Sequence, residues 1–219
     1  MGRRSGEVSQ MTGNLFLDIL IIAIIVLVIA GAVFLVVRFG DFESPQRRAG
    51  RLGEQYATRV ISEVLNEGDA LFTNVGVYAD DKETELDNVI VNSRGVFIIE
   101  VKNYSGELYG YEDDYKWLQT KYSSGGNFYQ KMVRNPIKQV NRQVHILSRF
   151  LKENDINVWI EGYAILTEHN APFSHRQILE NQYDIDRAVH PKDGQKLSKG
   201  TRKRIVELME QLINQQEQE

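Results

Sequence analysis

Two acidic residues lie inside apolar segments that are expected to form buried strands. Asp87 lies in LDNVIV, and Glu100 lies in VFIIEVK, which ends on Lys102. If Val91 pairs with Val96 across the polar NSRG turn, the register of the hairpin places Asp87 opposite Glu100. Directly opposed residues have Cβ atoms roughly 5 Å apart. The spacing therefore predicts two carboxylates on one face of a sheet, beside a lysine.

Two opposed carboxylates need a compensating charge, because like charges repel and burial strengthens the repulsion. Clustered oxygen ligands favour Mg²⁺, Mn²⁺ or Ca²⁺ over softer metals. The same register pairs Glu85 with Lys102, where the lysine can stabilise developing negative charge or orient a water. The alternative is that Asp87 faces solvent and that Glu100 forms a surface ion pair with Lys102, as half-exposed sheets allow.

Helices and further strands surround this hairpin in the sequence. Apolar residues recur at helical spacing over 47–65 and after Asn135-Pro136, and a last helix is expected over 201–215. ALFTNV and NVWIEGYAILT read as strands, and shorter runs around ELYGY and YKWLQT are expected to extend the sheet. This order of elements predicts an α/β fold, a mixed β-sheet flanked by helices.

The segment Leu15–Val37 is almost entirely apolar, with Asp18 as its one charge. At about 1.5 Å per residue it spans the hydrocarbon core of a bilayer, so we expect one transmembrane helix. A cleaved signal peptide would have a shorter apolar region, and a buried core helix would show a polar stripe. Four arginines follow the segment and two precede it, which favours a cytoplasmic C-terminal part and a single-pass protein of the cell membrane.

Composition excludes some classes of site. The chain has no cysteine, so it forms no disulfide and no thiolate metal site. Its formal net charge of −4 gives no overall bias toward nucleic acid, and positive charge is local, over 131–143 and 192–204. Both segments are read as solvated faces or as binding segments. Several aromatic residues after the hairpin either stack on bases or pack at a sheet edge: Tyr104, Tyr109, Tyr111, Tyr115 and Trp117.

Asp87 and the Glu100-Val101-Lys102 triplet resemble the D…(D/E)-x-K signature of restriction-endonuclease-like nucleases. The wider stretch, ELDNVIVNSRGVFIIEVKNYSG, is similar in particular to the nuclease-related domain (NERD) family, which is related to the PD-(D/E)xK nucleases. Leu86 stands where the parent signature has a proline.

Two flanking motifs also resemble that family. They are Gly53-Glu54 in the first helix and Gln139 after Asn135-Pro136-Ile137, and the whole resemblance covers roughly residues 48–165. It implies a restriction-endonuclease-like mixed sheet with a site for Mg²⁺ or Mn²⁺ that hydrolyses DNA or RNA.

The resemblance also implies a role for each site residue. Asp87 and Glu100 would bind the metal and Lys102 would assist catalysis. Glu54 would be an additional acid, and Gln139 would orient substrate or water.

The resulting hypothesis is a membrane-anchored, metal-dependent nuclease. The alternatives are a catalytically silent membrane-tethered module that binds nucleic acid or protein, and a structural membrane organiser. The expected organisation is a tail (1–14), a transmembrane helix (15–37), a linker (38–46), the nuclease-related domain (47–167) and a C-terminal extension with a terminal helix (168–219).

Overall fold

A computed structural model describes residues 4–39, 44–123, 125–168, 175–194 and 196–218. The chain divides into two compact units, Met1–Ser44 and Pro45–Glu219. The predicted α/β class is confirmed, since a five-stranded mixed sheet with flanking helices forms the second unit.

The first unit contains one helix, α1 (Arg4–Phe39). It begins well before the apolar segment, so most of the predicted tail is helical. Ile19–Val36 is long and apolar enough to cross a bilayer, and its side chains are exposed. A buried core helix would have hidden these side chains, so their exposure favours a membrane span or a signal sequence over a core helix.

The main sheet of the second unit has the order β1-β2-β3-β7-β8. Its first three strands pair antiparallel, and β7 and β8 are parallel to β3. The strands are β1 (Ala70–Ala79), β2 (Lys82–Val91), β3 (Val96–Lys102), β7 (Ile160–Leu166) and β8 (Ile178–Leu179). The central strand β3 is buried on both faces, which explains its near-continuous apolar sequence.

Helices cover both faces of this sheet. One face packs against α3 (Pro136–Glu153) and α5 (Lys199–Gln216), and the other packs against α2 (Pro45–Val64) and α4 (Gln182–Val189). The three long helices were predicted from periodicity, whereas α4 and β8 were not. The start of α3 is specified locally, because Asn135 Oδ1 accepts a hydrogen bond from the Ile137 amide at 2.9 Å and a proline follows it.

A second, three-stranded antiparallel sheet contains the segments that were expected to extend the main sheet. It consists of β4 (Glu107–Tyr109), β5 (Lys116–Tyr122) and β6 (Phe128–Arg134). The prediction was wrong because β3 pairs with β2 on one side and with β7 on the other. Neither edge of β3 is therefore open to β4, the next strand in the chain. The inner face of the second sheet packs Leu108, Trp117 and Val133 against Ile137 and Leu166.

Candidate active site

The hairpin that contains the predicted acids has the predicted register at its turn. Val91 pairs with Val96, and the Asn92 side chain accepts hydrogen bonds from the backbone amides of Arg94 and Gly95. The ladder ends at the pair formed by Asn88 and Ile99.

The predicted ladder pairs further along the hairpin do not form. Beyond the last pair, the Val101 amide donates to Asp87 Oδ2 at 2.7 Å. The predicted pairs Asp87–Glu100 and Glu85–Lys102 were therefore wrong as ladder pairs, because a side chain accepts the hydrogen bond of this strand amide.

The predicted site residues nevertheless line one cleft, with a volume of about 790 Å³. It lies where β2 and β3 meet the start of α3 and the second sheet. Its acidic residues are Glu54, Glu85, Asp87 and Glu100. Its basic residues are Lys102, Lys116, Arg134, Lys138 and Arg142. The cleft thus combines carboxylates from the main sheet and from α2 with cations from four elements, β3, β5, β6 and α3.

Asp87 is half-buried in this cleft. Burial raises the pKa of Asp87 from 3.8 to about 7, and the nearby charge of Glu100 adds to the rise. The Val101 amide and Lys102 act in the opposite direction, without cancelling the rise. The positive charge and hydrogen bond around Asp87 are therefore too weak to stabilise its ionised form.

Glu100 is fully buried and is bound by three side chains. Lys102 forms an ion pair with Glu100 Oε1, and Gln139 donates a hydrogen bond to the same oxygen. Gln143 donates to Glu100 Oε2 at 2.5 Å. These donors hold the carboxylate in one orientation at the wall of the cleft.

Lys102 keeps its positive charge in this setting. Burial by itself would lower the pKa of Lys102, but the charge and hydrogen bond of Glu100, with Asp87, outweigh it and raise the pKa. The side chain is 22% exposed, so the ammonium group is accessible from the cleft. A cation fixed at this point suits stabilisation of negative charge better than proton abstraction.

Glu54 reaches the cleft from α2, although this helix packs on the opposite face of the sheet from α3. Its neighbour Gly53 explains the close approach, because a Cβ there would lie 3.1 Å from Asn103 Cβ and 3.2 Å from Thr167 Oγ1. The Asn103 side chain also donates to Ala49 O at 2.5 Å. A small residue before Glu54 therefore lets the helix bring this acid to the ends of β2 and β3.

Gln143 is a site residue that the sequence interpretation missed. It lies one helical turn after Gln139 on α3, so the two amides share a face and reach the same carboxylate. Gln143 also donates to Glu85 O at 2.9 Å. The available signal was a second polar side chain, four residues after the first, on an otherwise apolar helix face.

Whether the cleft suits a divalent cation can be tested on its oxygen atoms. Within the described residues, no group of three or more His, Cys, Asp or Glu side chains is arranged to hold a metal. Mg²⁺ commonly uses one or two carboxylates and completes its shell with water and phosphate oxygens. Asp87 and Glu100 meet that need, and Gln139 Oε1 is a buried oxygen that no donor reaches among these residues. The residues therefore fit a hard cation, provided that Lys102 moves away from Glu100.

Comparisons with known proteins identify the family of this chain. A Bacillus anthracis protein described as uncharacterized is 27% identical over 105 residues, which make up 48% of this chain and 47% of that protein. The chain therefore spans about half the length of this relative. No solved structure matches the chain. The sequence profile named Nuclease-related domain (NERD) matches residues 49–167, more than half of the chain. The protein belongs to the nuclease-related domain family.

Proposed function

We propose that this protein is a membrane-anchored nuclease that hydrolyses phosphodiester bonds of DNA or RNA with Mg²⁺ or Mn²⁺. One observation carries the proposal. Asp87, Glu100 and Lys102 share a cleft whose walls are basic, in a chain of a nuclease-related family. A protein that only binds anions gains nothing from two carboxylates at the centre of its binding surface, since they repel phosphate.

In this proposal Asp87 and Glu100 bind the cation. A bound Mg²⁺ or Mn²⁺ supplies an activated water and neutralises charge on the phosphate. Gln143 keeps the Glu100 carboxylate oriented through its 2.5 Å hydrogen bond. Gln139, which now donates to Glu100, has a buried oxygen available to orient a water or the substrate.

Lys102 stabilises the charge that develops on the scissile phosphate. Its ammonium group lies beside both carboxylates at the open side of the cleft. Glu54 serves as an additional acid at the edge of the metal site. Lys116, Arg134 and Arg142 then hold the flanking phosphates, because they line the same cleft from the second sheet and from α3.

A cleavage assay tests the proposal on the full chain in detergent micelles. Single-stranded and duplex forms of DNA and RNA are incubated with Mg²⁺, with Mn²⁺ and with EDTA. Metal-dependent cleavage is expected for the wild type and is expected to disappear with Asp87→Asn. Glu83→Gln is the matched control, since Glu83 lies on the same strand, is exposed and does not line the cleft.

Thermal unfolding with metal gives a second readout. A cation that binds the folded protein raises its melting temperature. Mg²⁺ or Mn²⁺ should therefore stabilise the wild type and the Glu83→Gln variant, and leave Asp87→Asn unchanged. A wild type that cleaves none of the substrates and gains no stability from either metal would refute the nuclease proposal.

The same proposal places the large unit in the cytoplasm, with α1 as a single-pass anchor. Ile19–Val36 supports the anchor by length and composition. The arginines after it support the orientation: Arg38, Arg47, Arg48 and Arg51, against Arg3 and Arg4 before it. Protease added outside intact cells should leave the large unit uncut, and carbonate should not extract the protein. Digestion of the large unit would contradict the proposed orientation, and extraction by carbonate would contradict the proposed membrane anchor.

A further inference from the structure

The outer face of the second sheet exposes large apolar side chains in an ordered pattern. Tyr109, Tyr122, Phe128 and Met132 are all at least half exposed, with Tyr122 at 75%. The opposite face of the same sheet buries Trp117 and its neighbours against the domain. Because side chains alternate along a strand, the exposed set lies on one side of the sheet, which we call the aromatic face. The polar row Glu107–Thr120–Gln130 separates Tyr122 and Phe128 from Tyr109 and Met132.

The strand register arranges the aromatic face in rows across the sheet. Tyr122 pairs with Phe128, and their rings lie 5.1 Å apart between centroids. Four residues away along β5, Leu118 lies between Tyr109 and Met132. Flat rings on a rigid antiparallel sheet are a suitable surface for unstacked bases, since every base has an aromatic face.

The aromatic face leads directly into the candidate active site. Its next row is the pair formed by Lys116 and Arg134, and both residues line the cleft that contains Asp87. From Lys116 to Tyr122 the strand covers about 20 Å at roughly 3.4 Å per residue. That length accommodates on the order of four nucleotides, the lower end of the range for small single-strand binding domains.

Charge favours nucleic acid as the occupant. Cations lie at the cleft end of the face, where a phosphate backbone would enter. Glu107 is an acid on this face, and it already accepts a hydrogen bond from the Tyr109 hydroxyl. An apolar protein partner would not need the Lys116–Arg134 row, and a duplex would keep its bases stacked away from the rings.

We infer that the aromatic face binds a single-stranded segment of DNA or RNA and delivers it to the Asp87–Glu100 cleft. The inference rests on the proposed nuclease function and specifies its substrate as a strand with unpaired bases. The bases stack on Tyr122, Phe128 and Tyr109, and the phosphates follow Lys116 and Arg134 toward the cleft.

Fluorescence anisotropy with the full chain in micelles tests this inference. The probes are labelled single-stranded DNA, single-stranded RNA and a duplex, all in EDTA so that no cleavage occurs. The double variant Tyr122→Ala with Phe128→Ala should weaken single-strand binding at least about tenfold, because each stacked base contributes about that factor. Its effect on duplex binding should be small.

Two controls separate stacking from general damage. The variant Tyr122→Phe with Phe128→Tyr keeps both rings and should bind like the wild type. Tyr183→Ala removes an equally exposed ring from α4, far from the cleft in the fold, and should also leave binding unchanged. Equal single-strand affinity of the double alanine variant and the wild type would overturn the inference.

A membrane contact is the competing use of an exposed aromatic face in a chain that also contains an apolar helix. The chain has no cysteine, so Gln130→Cys, exposed on the same face, introduces a single attachment point for an environment-sensitive dye without removing a stacking ring. In lipid nanodiscs the dye should respond to added single strand. A dye that already reports a lipid environment and ignores the oligonucleotide would assign this face to the membrane instead.

The outcomes also separate this inference from the proposed function. Single-strand binding that depends on the aromatic face, without any metal-dependent cleavage, would refute the nuclease and keep the single-strand site. Cleavage with the same KM and kcat in the double alanine variant would keep the nuclease and refute the single-strand site.

Discussion

Asp87→Asn is expected to stabilise the metal-free protein at alkaline pH. Asp87 is a half-buried carboxylate whose pKa is raised to about 7 by burial and by Glu100. The folded state therefore binds more protons than the unfolded state between pH 3.8 and about 7, and the free energy of unfolding falls as the pH rises through this window. At pH 8 the folded wild type holds a charge that its surroundings disfavour. Asparagine removes that charge and keeps an oxygen to accept from the Val101 amide.

The size of the effect follows from the same shift. At about 1.4 kcal/mol for each pKa unit, the rise from 3.8 to about 7 corresponds to about 4 kcal/mol. Solvent reaches the half-buried Asp87 side chain and screens its charge, so we expect a gain of about 2–4 kcal/mol at pH 8. For a domain of this size that gain raises the melting temperature by about 5–15 °C.

Tryptophan fluorescence during heating measures the effect. Trp117 is fully buried under the second sheet and reports the unfolding of the large unit. The wild type, Asp87→Asn and Glu83→Gln are compared in EDTA at pH 5 and pH 8. The gain of Asp87→Asn should be large at pH 8 and small at pH 5, and Glu83→Gln should follow the wild type. An unchanged or lower melting temperature of Asp87→Asn at pH 8 would refute the assignment of Asp87 as a destabilising acid.

Three further predictions concern single residues. Lys102→Ala should lower the cleavage rate on the order of 10²–10³-fold, because the residue stabilises charge on the phosphate. Circular dichroism should show a folded variant, although loss of the ion pair with the buried Glu100 lowers its stability. An undiminished rate would remove Lys102 from the mechanism. His190→Gln should flatten the pH dependence of stability above pH 6.5. Burial lowers the pKa of His190, but the hydrogen bonds that its ring donates to Asp69 and Asp186 outweigh burial and raise the pKa. The stability that the ion pairs contribute is therefore present below pH 6.5 and is lost as the pH rises through the folded-state pKa. An unchanged profile of the urea midpoint against pH would contradict this. Gly106→Ala should cost about 2 kcal/mol or more in urea unfolding, since φ is +87° and a Cβ would lie 2.1 Å from Thr120 O, and a variant as stable as the wild type would contradict that geometry.

The β2–β3 hairpin could be predicted from the sequence because its determinants are local. Alternating apolar residues set which side chains face the core, and the NSRG turn sets the register near Val91 and Val96. The start of α3 could also be predicted from the sequence, because Asn135 and the proline after it specify a helix N-terminus by themselves. The apolar segment in α1 could also be predicted, because its length and composition alone identify it as a candidate membrane span.

The second sheet could not be predicted because strand pairing depends on partners distant in the chain. The sequence shows that β4 and β5 follow β3, and neighbours in sequence usually pair. The edge of β3 is taken instead by β7, which begins nearly sixty residues later, at Ile160. Strand β6 has one buried residue, Val133, so it lacks the apolar alternation that would reveal a strand.

Part of the candidate site could be predicted from the sequence, and part of it depends on the tertiary structure. Asp87, Glu100 and Lys102 follow from the period of two along neighbouring strands, which any sheet of this register would keep on one face. The end of the ladder at Asn88, the donation of the Val101 amide to Asp87 and the contacts of Glu100 with α3 depend on the tertiary structure. The period of a strand is a local property of the backbone, whereas the partner of a buried charge is decided by whichever distant element packs against it.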